Sequence, residues 1–364
     1  MKKILDVAKE KILSDERINF DEALALYNDN DLLFLAKTAR KIKESKSGKN
    51  VFYTVNRHIN LTNICSSNCP LCAFQCRAGD NKGYTLEIDD VKKIIDDVKN
   101  IKNLSEIHIV SALHPDKPFE YFLDVIKFIK SALPNVEINA FTPVEIADFA
   151  KKSGKSFEDV LKILKSAGVS TLPGGGAEIF SQRVRDIICP KKISADEWLE
   201  IMETAHKLGI KSNASIMYGH IETVEERIEH LIKLRDLQDK TDGFQAMLLF
   251  PFYPENTELG QKYNLRSVGA WENLKMLAFS RIVLDNFKHF KAFWVMLTLP
   301  IAQIALAFGA DDLDGTIGEE KIIHAAGAKS SAEISKETLI ELIEKTEYKA
   351  VERDSFYNPI EKRA

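Results

Sequence analysis

The sequence predicts an α/β protein whose core is a TIM-type (βα)8 barrel. Short apolar runs alternate with amphipathic helical patterns along most of the 364 residues, and such alternation is typical of parallel strands joined by right-handed helical crossovers. Eight strand-like runs can be counted, which is the number that closes this kind of barrel. Polar and glycine-rich clusters follow the predicted strands, at the end of a barrel where active sites lie.

The chain before the barrel is charged and has the periodicity of helices. Residues 1–48 therefore predict an N-terminal helical extension rather than a signal peptide, and the polar run 45–50 predicts the joint to the barrel. We expect the barrel core to occupy residues 49–328. We expect residues 329–364 to form a C-terminal helical tail that packs on the barrel.

The predicted strands are short apolar runs at residues 52–60, 106–112, 136–141, 169–172, 211–218, 244–250, 290–297 and 305–309. The helices between them are predicted at residues 88–99, 118–132, 156–167, 195–208, 224–238 and 271–285. Residues 292–310 contain no charged side chain, and this run is long enough to suggest a membrane span. Pro300 and Gln303 interrupt the run, so we interpret it as buried strand, short helix and buried strand.

The composition is that of a soluble globular protein, with 45% hydrophobic and 29% charged residues. With a formal net charge of −4, the chain lacks the overall positive charge that is typical of nucleic-acid-binding proteins. We therefore expect a cytoplasmic protein that acts on a small molecule, with no nucleic-acid partner and no membrane span. The sequence leaves a homodimer open.

Three cysteines with C-x3-C-x2-C spacing, Cys65, Cys69 and Cys72, are the strongest chemical signal. On one short loop they can bind three irons of a [4Fe–4S] cluster and leave the fourth iron free for a small molecule. Cys76 leaves an alternative open, which is a closed four-cysteine zinc or electron-transfer site. We interpret the distant Cys189 as an ordinary buried thiol.

The loop after the fourth predicted strand contains Gly174, Gly175 and Gly176, followed by Glu178. Consecutive glycines let a ligand approach the main chain closely, and the carboxylate can hold a ribose or a substrate hydroxyl. A tight turn with a capping carboxylate is the alternative. We favour the ligand role because three glycines exceed what a turn requires.

Histidines and a carboxylate near other strand ends are candidates for proton transfer. His58 precedes the cysteine loop, and His114 and Asp116 follow the second strand. His220 follows the fifth strand. A histidine can donate or accept a proton near neutral pH, and a hydrogen-bonded turn is the alternative for the His114–Asp116 pair.

Other polar residues near strand ends are candidates for ligand binding. Glu145 follows the third strand, where it can bind a ligand or face a helix dipole. Arg183 and Arg185 can bind carboxylates, or they can lie on a solvated helix face. Asn213 lies within the fifth strand and needs a polar partner there, and Tyr218 ends that strand.

The cysteine motif resembles the radical S-adenosylmethionine (SAM) superfamily, whose signature is C-x3-C-x2-C. Leu71 stands where that family usually has an aromatic residue near the adenine, and Phe74 can supply aromatic surface instead. Over residues 50–328 the chain resembles the group that contains aminofutalosine synthase, dehypoxanthine futalosine cyclase and deazaflavin (FO) synthase. The segments that carry this resemblance are 57–65, 72–74, 107–116, 140–145, 172–180, 211–222 and 308–316.

The resemblance implies a [4Fe–4S] cluster on the three cysteines, with SAM bound at the open iron as a co-substrate. Phe74, Glu145, the glycine loop and Glu178 are then expected to contact SAM. A flavodoxin or ferredoxin is the expected reductant. The Leu-His-Pro-Asp run at 113–116 and the Tyr-Gly-His-Ile-Glu run at 218–222 favour the synthase.

For the synthase, the resemblance implies that the 5′-deoxyadenosyl radical adds to 3-[(1-carboxyvinyl)oxy]benzoate, a step of menaquinone biosynthesis. The residues expected to bind this dianion are Arg183, Arg185, Asn213 and Tyr218. Those expected to assist the chemistry are His58, His114, Asp116 and His220. The cyclase, an FO-synthase-like enzyme and, more remotely, a non-enzymatic four-cysteine metal or electron-carrier protein are the alternatives.

Overall fold

The computed structural model describes residues 2–360, and in this part of the chain ten parallel strands form one sheet. The strands are β1 Asn50–Thr54, β2 Asn56–Ile59, β3 Glu106–Ile109, β4 Glu137–Ala140, β5 Val169–Leu172, β6 Lys211–Tyr218, β7 Phe244–Pro251, β8 His289–Lys291, β9 Asp312–Gly315 and β10 Lys349–Glu352. Their order is β10-β1-β9-β8-β7-β6-β5-β4-β3-β2. The strands β1 and β2 follow one another along the chain but lie near opposite edges of this sheet. The two edges are therefore adjacent, and the sheet closes on itself.

The sheet curls into a barrel through a split first strand. Its first half, β1, pairs with β9, and its second half, β2, pairs with β3. Asn56 bridges the seam: its Oδ1 accepts the N–H of Ile317 at 2.7 Å, and its backbone N–H donates to Thr316 Oγ1 at 3.1 Å. The predicted α/β barrel class is therefore confirmed.

Helices lie outside the sheet and over its ends. They are α1 Lys2–Leu13, α2 Phe20–Asn28, α3 Leu32–Ser47, α4 Ile88–Val98, α5 Phe119–Ala132, α6 Pro143–Ser153, α7 Phe157–Ala167, α8 Gln182–Ile188, α9 Ala195–Lys207, α10 Val224–Thr241, α11 Glu258–Tyr263, α12 Ala270–Val283, α13 Trp294–Leu297, α14 Leu299–Ala305, α15 Ile322–Ala326 and α16 Lys336–Glu344. None of these helices combines the length and the apolar character needed to cross a bilayer.

Helical periodicity and capping explain why these segments fold as they do. In α5, Phe119, Phe122, Ile126 and Ile129 recur at helical spacing and are all buried; burial of each such side chain contributes roughly 1.5–3 kcal/mol. The helices α6, α9 and α10 each begin with a capping box in which Ser or Thr is followed three residues later by Glu. This pairing satisfies backbone N–H groups that the first helical turn leaves free.

The apolar run 292–310 differs from the prediction. The strand predicted at 305–309 is wrong, and the strand predicted at 290–297 is confirmed only at its start: β8 ends at Lys291, and α13, α14 and a 3₁₀ turn at Leu306–Phe308 occupy most of the run. The eighth barrel strand is β9, which is rich in aspartate. Polar strand sequence carries no apolar signal, and β9 is stable inside the protein because partners such as Arg353 neutralise its carboxylates.

The segments flanking the barrel pack against it in different ways. The N-terminal helices α2 and α3 lie against α10 and α12, where the ring of Tyr27 meets Phe279 edge-on at 4.9 Å. The C-terminal segment contains α16, and it also adds β10 to the sheet, in register with Asn50–Tyr53 of β1. The tail thus joins the sheet itself, which the sequence analysis did not predict.

Candidate functional site

A cavity of about 280 Å³ lies at the C-terminal ends of the strands. Its walls come from strand ends and from the loops that follow them, as expected for a barrel of parallel strands. The predicted site residues that line it are His58, Cys65, Cys69, Cys72, Phe74, Glu145, Gly174, Gly175, Gly176, Glu178 and Asn213. Leu71 and Phe74 both line the cavity, so aromatic surface is available beside the cysteines.

The cysteine loop separates three thiols from the fourth. Cys65, Cys69 and Cys72 line the cavity, and Cys76 does not. The carbonyl of Cys76 accepts the N–H of Cys65 at 2.9 Å, and its sulfur accepts a hydrogen bond from Asn63 Nδ2 at 3.3 Å. Cys76 therefore stabilises the loop that presents the other three cysteines.

The three cavity thiols are the residues that would hold a [4Fe–4S] cluster. Within residues 2–360, no three His, Cys, Asp or Glu side chains lie close enough together to hold one ion. In a cluster each cysteine binds a different iron, so three ligands to a single ion are not required. Burial raises the pKa of Cys69 to about 12 and also raises that of Cys72, so bound iron would be what deprotonates these thiols.

Glu145 both caps a helix and faces the cavity. Its Oε2 accepts hydrogen bonds from the backbone N–H and the hydroxyl of Thr142, each at 2.8 Å. Its Oε1 accepts the N–H of Ser111 at 2.9 Å. Burial raises the pKa of Glu145 to about 7, although the Thr142 and Ser111 bonds oppose the shift. Both interpretations from the sequence, the capping carboxylate and the ligand-facing group, are thus compatible with its position.

The glycine loop packs so closely against its neighbours that a side chain at Gly174 or Gly176 would collide with them. A Cβ atom on Gly174 would lie 2.7 Å from the backbone of Ala214 in β6. Gly176 has a φ of +80°, and a Cβ there would lie 2.5 Å from Val144 Cγ2. The loop consequently brings bare backbone to the cavity surface, and the tight packing accounts for two of its three glycines.

Glu178 forms a buried ion pair with Lys192 at the cavity wall. The Lys192 Nζ lies 2.5 Å from Glu178 Oε1, and both residues line the cavity. Burial raises the pKa of Glu178, but the Lys192 ammonium outweighs this effect and holds the pKa below its usual value. Lys192 also lies close enough to Cys69 and Cys72 for its charge to favour their thiolates.

Inward-facing side chains of the strands form the floor of the cavity. His58 of β2 stacks on His108 of β3, its register partner, with ring centroids 4.4 Å apart. Burial lowers the pKa of both histidines, so both rings are neutral. Lys291 of β8 also lines the floor, with its Nζ 3.4 Å from Asp314 Oδ1 of β9.

Several polar residues of this cavity were not among the predicted site residues, and they include Lys192, His108, Lys291 and Asp314. Lys192 lies in the basic run after the glycine loop, where sequence alone cannot tell which cation turns inward. His108 alternates with Ile107 and Ile109, and this period of two could have identified it as the inward partner of His58. Lys291 falls within the strand predicted at 290–297 but was not singled out there, and Asp314 lies on β9, after the last predicted strand.

The two predicted substrate arginines do not line the cavity. Arg183 is exposed, and it binds Glu226 at 2.7 Å on the surface. Arg185 is buried but donates to the carbonyls of Ala177 at 2.7 Å and Ile179 at 3.1 Å. Arg185 thus stabilises the backbone after the glycine loop, and its guanidinium points away from the cavity in which most of the predicted site residues meet.

Tyr218 and His220 also lie outside the cavity. The buried Tyr218 hydroxyl donates to Asn273 Oδ1 at 2.8 Å, which ties β6 to α12. His220 Nδ1 lies 2.8 Å from both the Ile221 N–H and a carboxylate oxygen of Glu222. These contacts stabilise the end of β6 and the turn that follows it.

The His114–Asp116 pair forms the hydrogen-bonded turn that was the alternative interpretation. His114 Nδ1 accepts the backbone N–H of Asp116 at 3.1 Å and that of Lys117 at 3.2 Å. Neither His114 nor Asp116 lines the cavity. With its Nδ1 engaged in this way, His114 organises the loop after β3.

Two known protein families match consecutive parts of this chain. The radical SAM superfamily matches residues 59–234, and the CofH/MqnC C-terminal region matches residues 241–363. The first match contains the three cavity cysteines. The second contains Lys291 and Asp314, so both matches contribute to the cavity.

Two curated relatives with different names are similar to nearly the whole chain. Aminodeoxyfutalosine synthase of Thermus thermophilus is 39% identical over 352 residues, covering 96% of this chain and 94% of the relative. The 5-amino-6-(D-ribitylamino)uracil–L-tyrosine 4-hydroxyphenyl transferase of Methanococcoides burtonii is 40% identical over 332 residues, covering 90% and 91%. Identity alone therefore does not separate the two reactions.

Solved structures share the fold at low sequence identity. Methylornithine synthase superposes with a TM-score of 0.74 at 16% identity, covering 94% of this chain and 97% of that one. HydG, a maturase of the [FeFe]-hydrogenase, superposes with a TM-score of 0.72 at 18% identity, covering 96% of this chain and 76% of that one. These similarities support the barrel architecture.

Proposed function

The chain belongs to the radical SAM superfamily and is an enzyme, and we propose that it catalyses the aminofutalosine synthase reaction of menaquinone biosynthesis. In this reaction the adenosyl group of SAM adds to the enol-ether double bond of 3-[(1-carboxyvinyl)oxy]benzoate. Rearrangement and loss of carbon dioxide then give 6-amino-6-deoxyfutalosine. The proposal is supported by the 39% identity with the Thermus synthase across 96% of the chain together with the runs at 113–116 and 218–222, which resemble the synthase.

Superfamily membership implies a [4Fe–4S] cluster and SAM. Held by Cys65, Cys69 and Cys72, the cluster would supply the electron that cleaves SAM to methionine and a 5′-deoxyadenosyl radical. The chain's own contribution is a cavity whose apolar lining, including Phe74, Phe250 and Phe293, excludes water from reactive species. An enclosed barrel end also keeps the two substrates aligned.

The Lys192–Glu178 pair suits the amino-acid portion of SAM. The pair lies beside the cysteines, where it offers one positive and one negative group to a zwitterion. The backbone of Gly174, Gly175 and Gly176 lies on the same wall and can approach the nucleoside closely. These residues would bind and orient SAM.

The floor of the cavity suits the second substrate. The Lys and Arg residues that line the cavity, among residues 2–360, are Lys192 and Lys291. Since Lys192 is paired closely with Glu178, Lys291 is the cation best placed for a substrate carboxylate. The neutral, stacked rings of His58 and His108 offer a flat surface for an aromatic ring. Lys291 thus takes the role that the sequence suggested for Arg183 and Arg185.

One observation favours a second candidate function, the transfer of a tyrosine-derived group. The Methanococcoides relative is 40% identical and is named for L-tyrosine as a substrate. Lys291 and Asp314 lie together at the cavity floor, and a lysine–aspartate pair is complementary to the carboxylate and ammonium of an amino acid. The two candidate functions therefore differ in the substrate that would bind to the Lys291–Asp314 pair.

Product analysis tests the proposal. The cluster is reconstituted anaerobically and reduced with dithionite in place of the expected flavodoxin or ferredoxin. The enzyme then receives SAM with either 3-[(1-carboxyvinyl)oxy]benzoate or, in parallel, L-tyrosine and 5-amino-6-(D-ribitylamino)uracil. We expect mass spectrometry to show an adenosyl adduct with loss of carbon dioxide from the first mixture. Turnover of tyrosine in its place would support the second candidate, and free 5′-deoxyadenosine without an adduct in either mixture would point to a cyclase-like reaction.

A further inference from the structure

The segment after β10 enters the barrel at the end opposite the cysteines. Ser355 Oγ donates to Glu106 Oε2 at 2.6 Å, and the Ser355 carbonyl accepts a hydrogen bond from Gln245 Nε2 at 3.0 Å. The ring of Tyr357 stacks on His289 with centroids 3.7 Å apart. Glu106, Gln245 and His289 lie at the starts of β3, β7 and β8, so the C-terminal segment closes the lower end of the barrel.

Arg353 makes the most deeply buried contact of this segment. Its Nε donates to Asp312 Oδ2 of β9 at 2.8 Å, and both side chains are at most 2% exposed. The guanidinium lies over the ring of Tyr357, 4.2 Å from its centroid. The other oxygen of Asp312 accepts the backbone N–H of Asp314. One carboxylate thus joins the C-terminal segment to the turn of β9 that reaches the cavity.

The backbone at Asp314 requires such support. Its φ is +67°, in the left-handed region that non-glycine residues adopt at a cost. In this conformation the Asp314 carboxylate reaches the cavity floor and lies 3.4 Å from the Lys291 ammonium. The hydrogen bond to Asp312 stabilises this backbone conformation, and the ion pair with Arg353 fixes Asp312.

We propose that Arg353 is a positioning residue for substrate binding: through Asp312 and Asp314 it holds Lys291 where Lys291 binds a substrate carboxylate. The contacts form a continuous path from the lower end of the barrel to the cavity floor. Lys291 has a single side-chain hydrogen-bond partner in the described chain, so its remaining N–H groups are available to a ligand. The proposal rests on the proposed function for the identity of that ligand.

Arg281 provides a matched control. It is a second buried arginine, and it lies 4.0 Å from Asp311, the neighbour of Asp312 on β9. Alternate residues of a strand face opposite sides, so Asp311 points away from the cavity floor. Arg281→Met therefore removes a buried arginine whose acidic neighbour is Asp311, whereas the path to Lys291 runs through Asp312 and Asp314.

Calorimetric binding of 3-[(1-carboxyvinyl)oxy]benzoate to the reconstituted, unreduced enzyme with SAM tests the proposal without turnover. We expect Lys291→Met and Arg353→Met each to raise the Kd about tenfold, with partial recovery in Arg353→Lys. Arg281→Met should stay within about twofold of the wild type. The double variant Lys291→Met/Arg353→Met should bind no more weakly than Lys291→Met, because both changes remove the same contact.

An unchanged Kd in Arg353→Met would overturn the proposal, as would losses that add in the double variant. Asp312→Asn weakens the same link and replaces Arg353→Met if the latter does not fold. A wild-type enzyme that neither binds the benzoate nor forms the adduct contradicts the proposed function instead. The same variants are then measured with L-tyrosine, whose carboxylate tests the positioning role under the second candidate function.

Discussion

Single residues around the cavity often have a structural and a chemical role together. Glu145 caps α6 through Thr142 and also lines the cavity. Cys76, by contrast, contributes only to structure, since its carbonyl holds Cys65 and its sulfur accepts from Asn63. The surroundings of a side chain, more than its type, decide which role it has.

The cysteines yield a prediction about iron content. We expect Cys69→Ala to lose the cluster, because it removes one of three ligands, whereas Cys76→Ala should retain it with a mild loss of stability. Iron and sulfide analysis after anaerobic reconstitution, together with the visible absorbance of the cluster, measures the effect. Equal iron loss in the two variants would show that Cys76 is a fourth ligand.

The raised pKa of Glu145 yields a prediction about pH. Its pKa rises from 4.5 in the unfolded chain to about 7 in the folded protein. Its contribution to stability is therefore fully present below about pH 4.5 and declines as the pH rises through 7. Relative to Glu145→Gln, which cannot titrate, the wild type should lose up to about 3 kcal/mol of unfolding free energy between pH 5 and pH 8.

Urea unfolding of both proteins at several pH values measures this difference. Other titrating groups are shared by the two proteins, so they cancel when the two profiles are subtracted. A constant difference across the range would contradict the raised pKa of Glu145.

At the level of elements, the loop after β5 and the strand β9 are built around close backbone contacts. Gly174 packs against the backbone of Ala214 in β6, and Gly315 packs against Asn56 Oδ1. Both contacts leave no room for a Cβ atom. The cavity wall and the barrel seam consequently depend on glycines at these points.

Gly174→Ala tests this packing. We expect a loss of about 1–3 kcal/mol in unfolding free energy, since the new methyl group collides with backbone that cannot move freely. Gly269→Ala is the control: a Cβ there meets nothing within 4 Å, and the change should cost less than about 1 kcal/mol. Chemical denaturation measures both, and equal losses would show that the close approach at Gly174 is unimportant.

At the level of the whole molecule, closure of the barrel depends on contacts between distant parts of the sequence. Asn56 joins the two halves of the first strand to the segment after β9 through Thr316 and Ile317. On the other side of the seam, β10 pairs with β1. The first strand and the C-terminal segment therefore lie side by side in the barrel wall, so the site depends on the integrity of the C-terminal region.

Asn56→Ala tests the seam. The change leaves the Ile317 N–H without its buried acceptor, which costs about 1–3 kcal/mol. Asn256→Ala is the matched control, because its hydrogen bond to the Ala325 carbonyl is exposed and should contribute less than about 0.5 kcal/mol. Thermal unfolding compares the two variants, and similar melting temperatures would argue against a role for Asn56 in closure.

Sequence reasoning succeeded where the signal is local. Cys65, Cys69, Cys72, the three glycines and Glu178 follow predicted strands, and the structure brings them together in one cavity. Arg183 and Arg185 lie outside that cavity, because the direction in which a side chain points depends on its neighbours in space. Strand β9 escaped detection since its carboxylates have partners as remote as Arg353.

The sequence by itself determined the barrel class, the cysteine loop and the superfamily, because alternation and close spacing are properties of neighbouring residues. Tertiary structure alone decided that the charged groups of Lys192, Lys291 and Asp314 line the cavity, and that Cys76 lies outside it. These residues come from separate loops and strands. Burial makes unpaired charge costly, and so the folded chain brings together partners that are far apart in sequence.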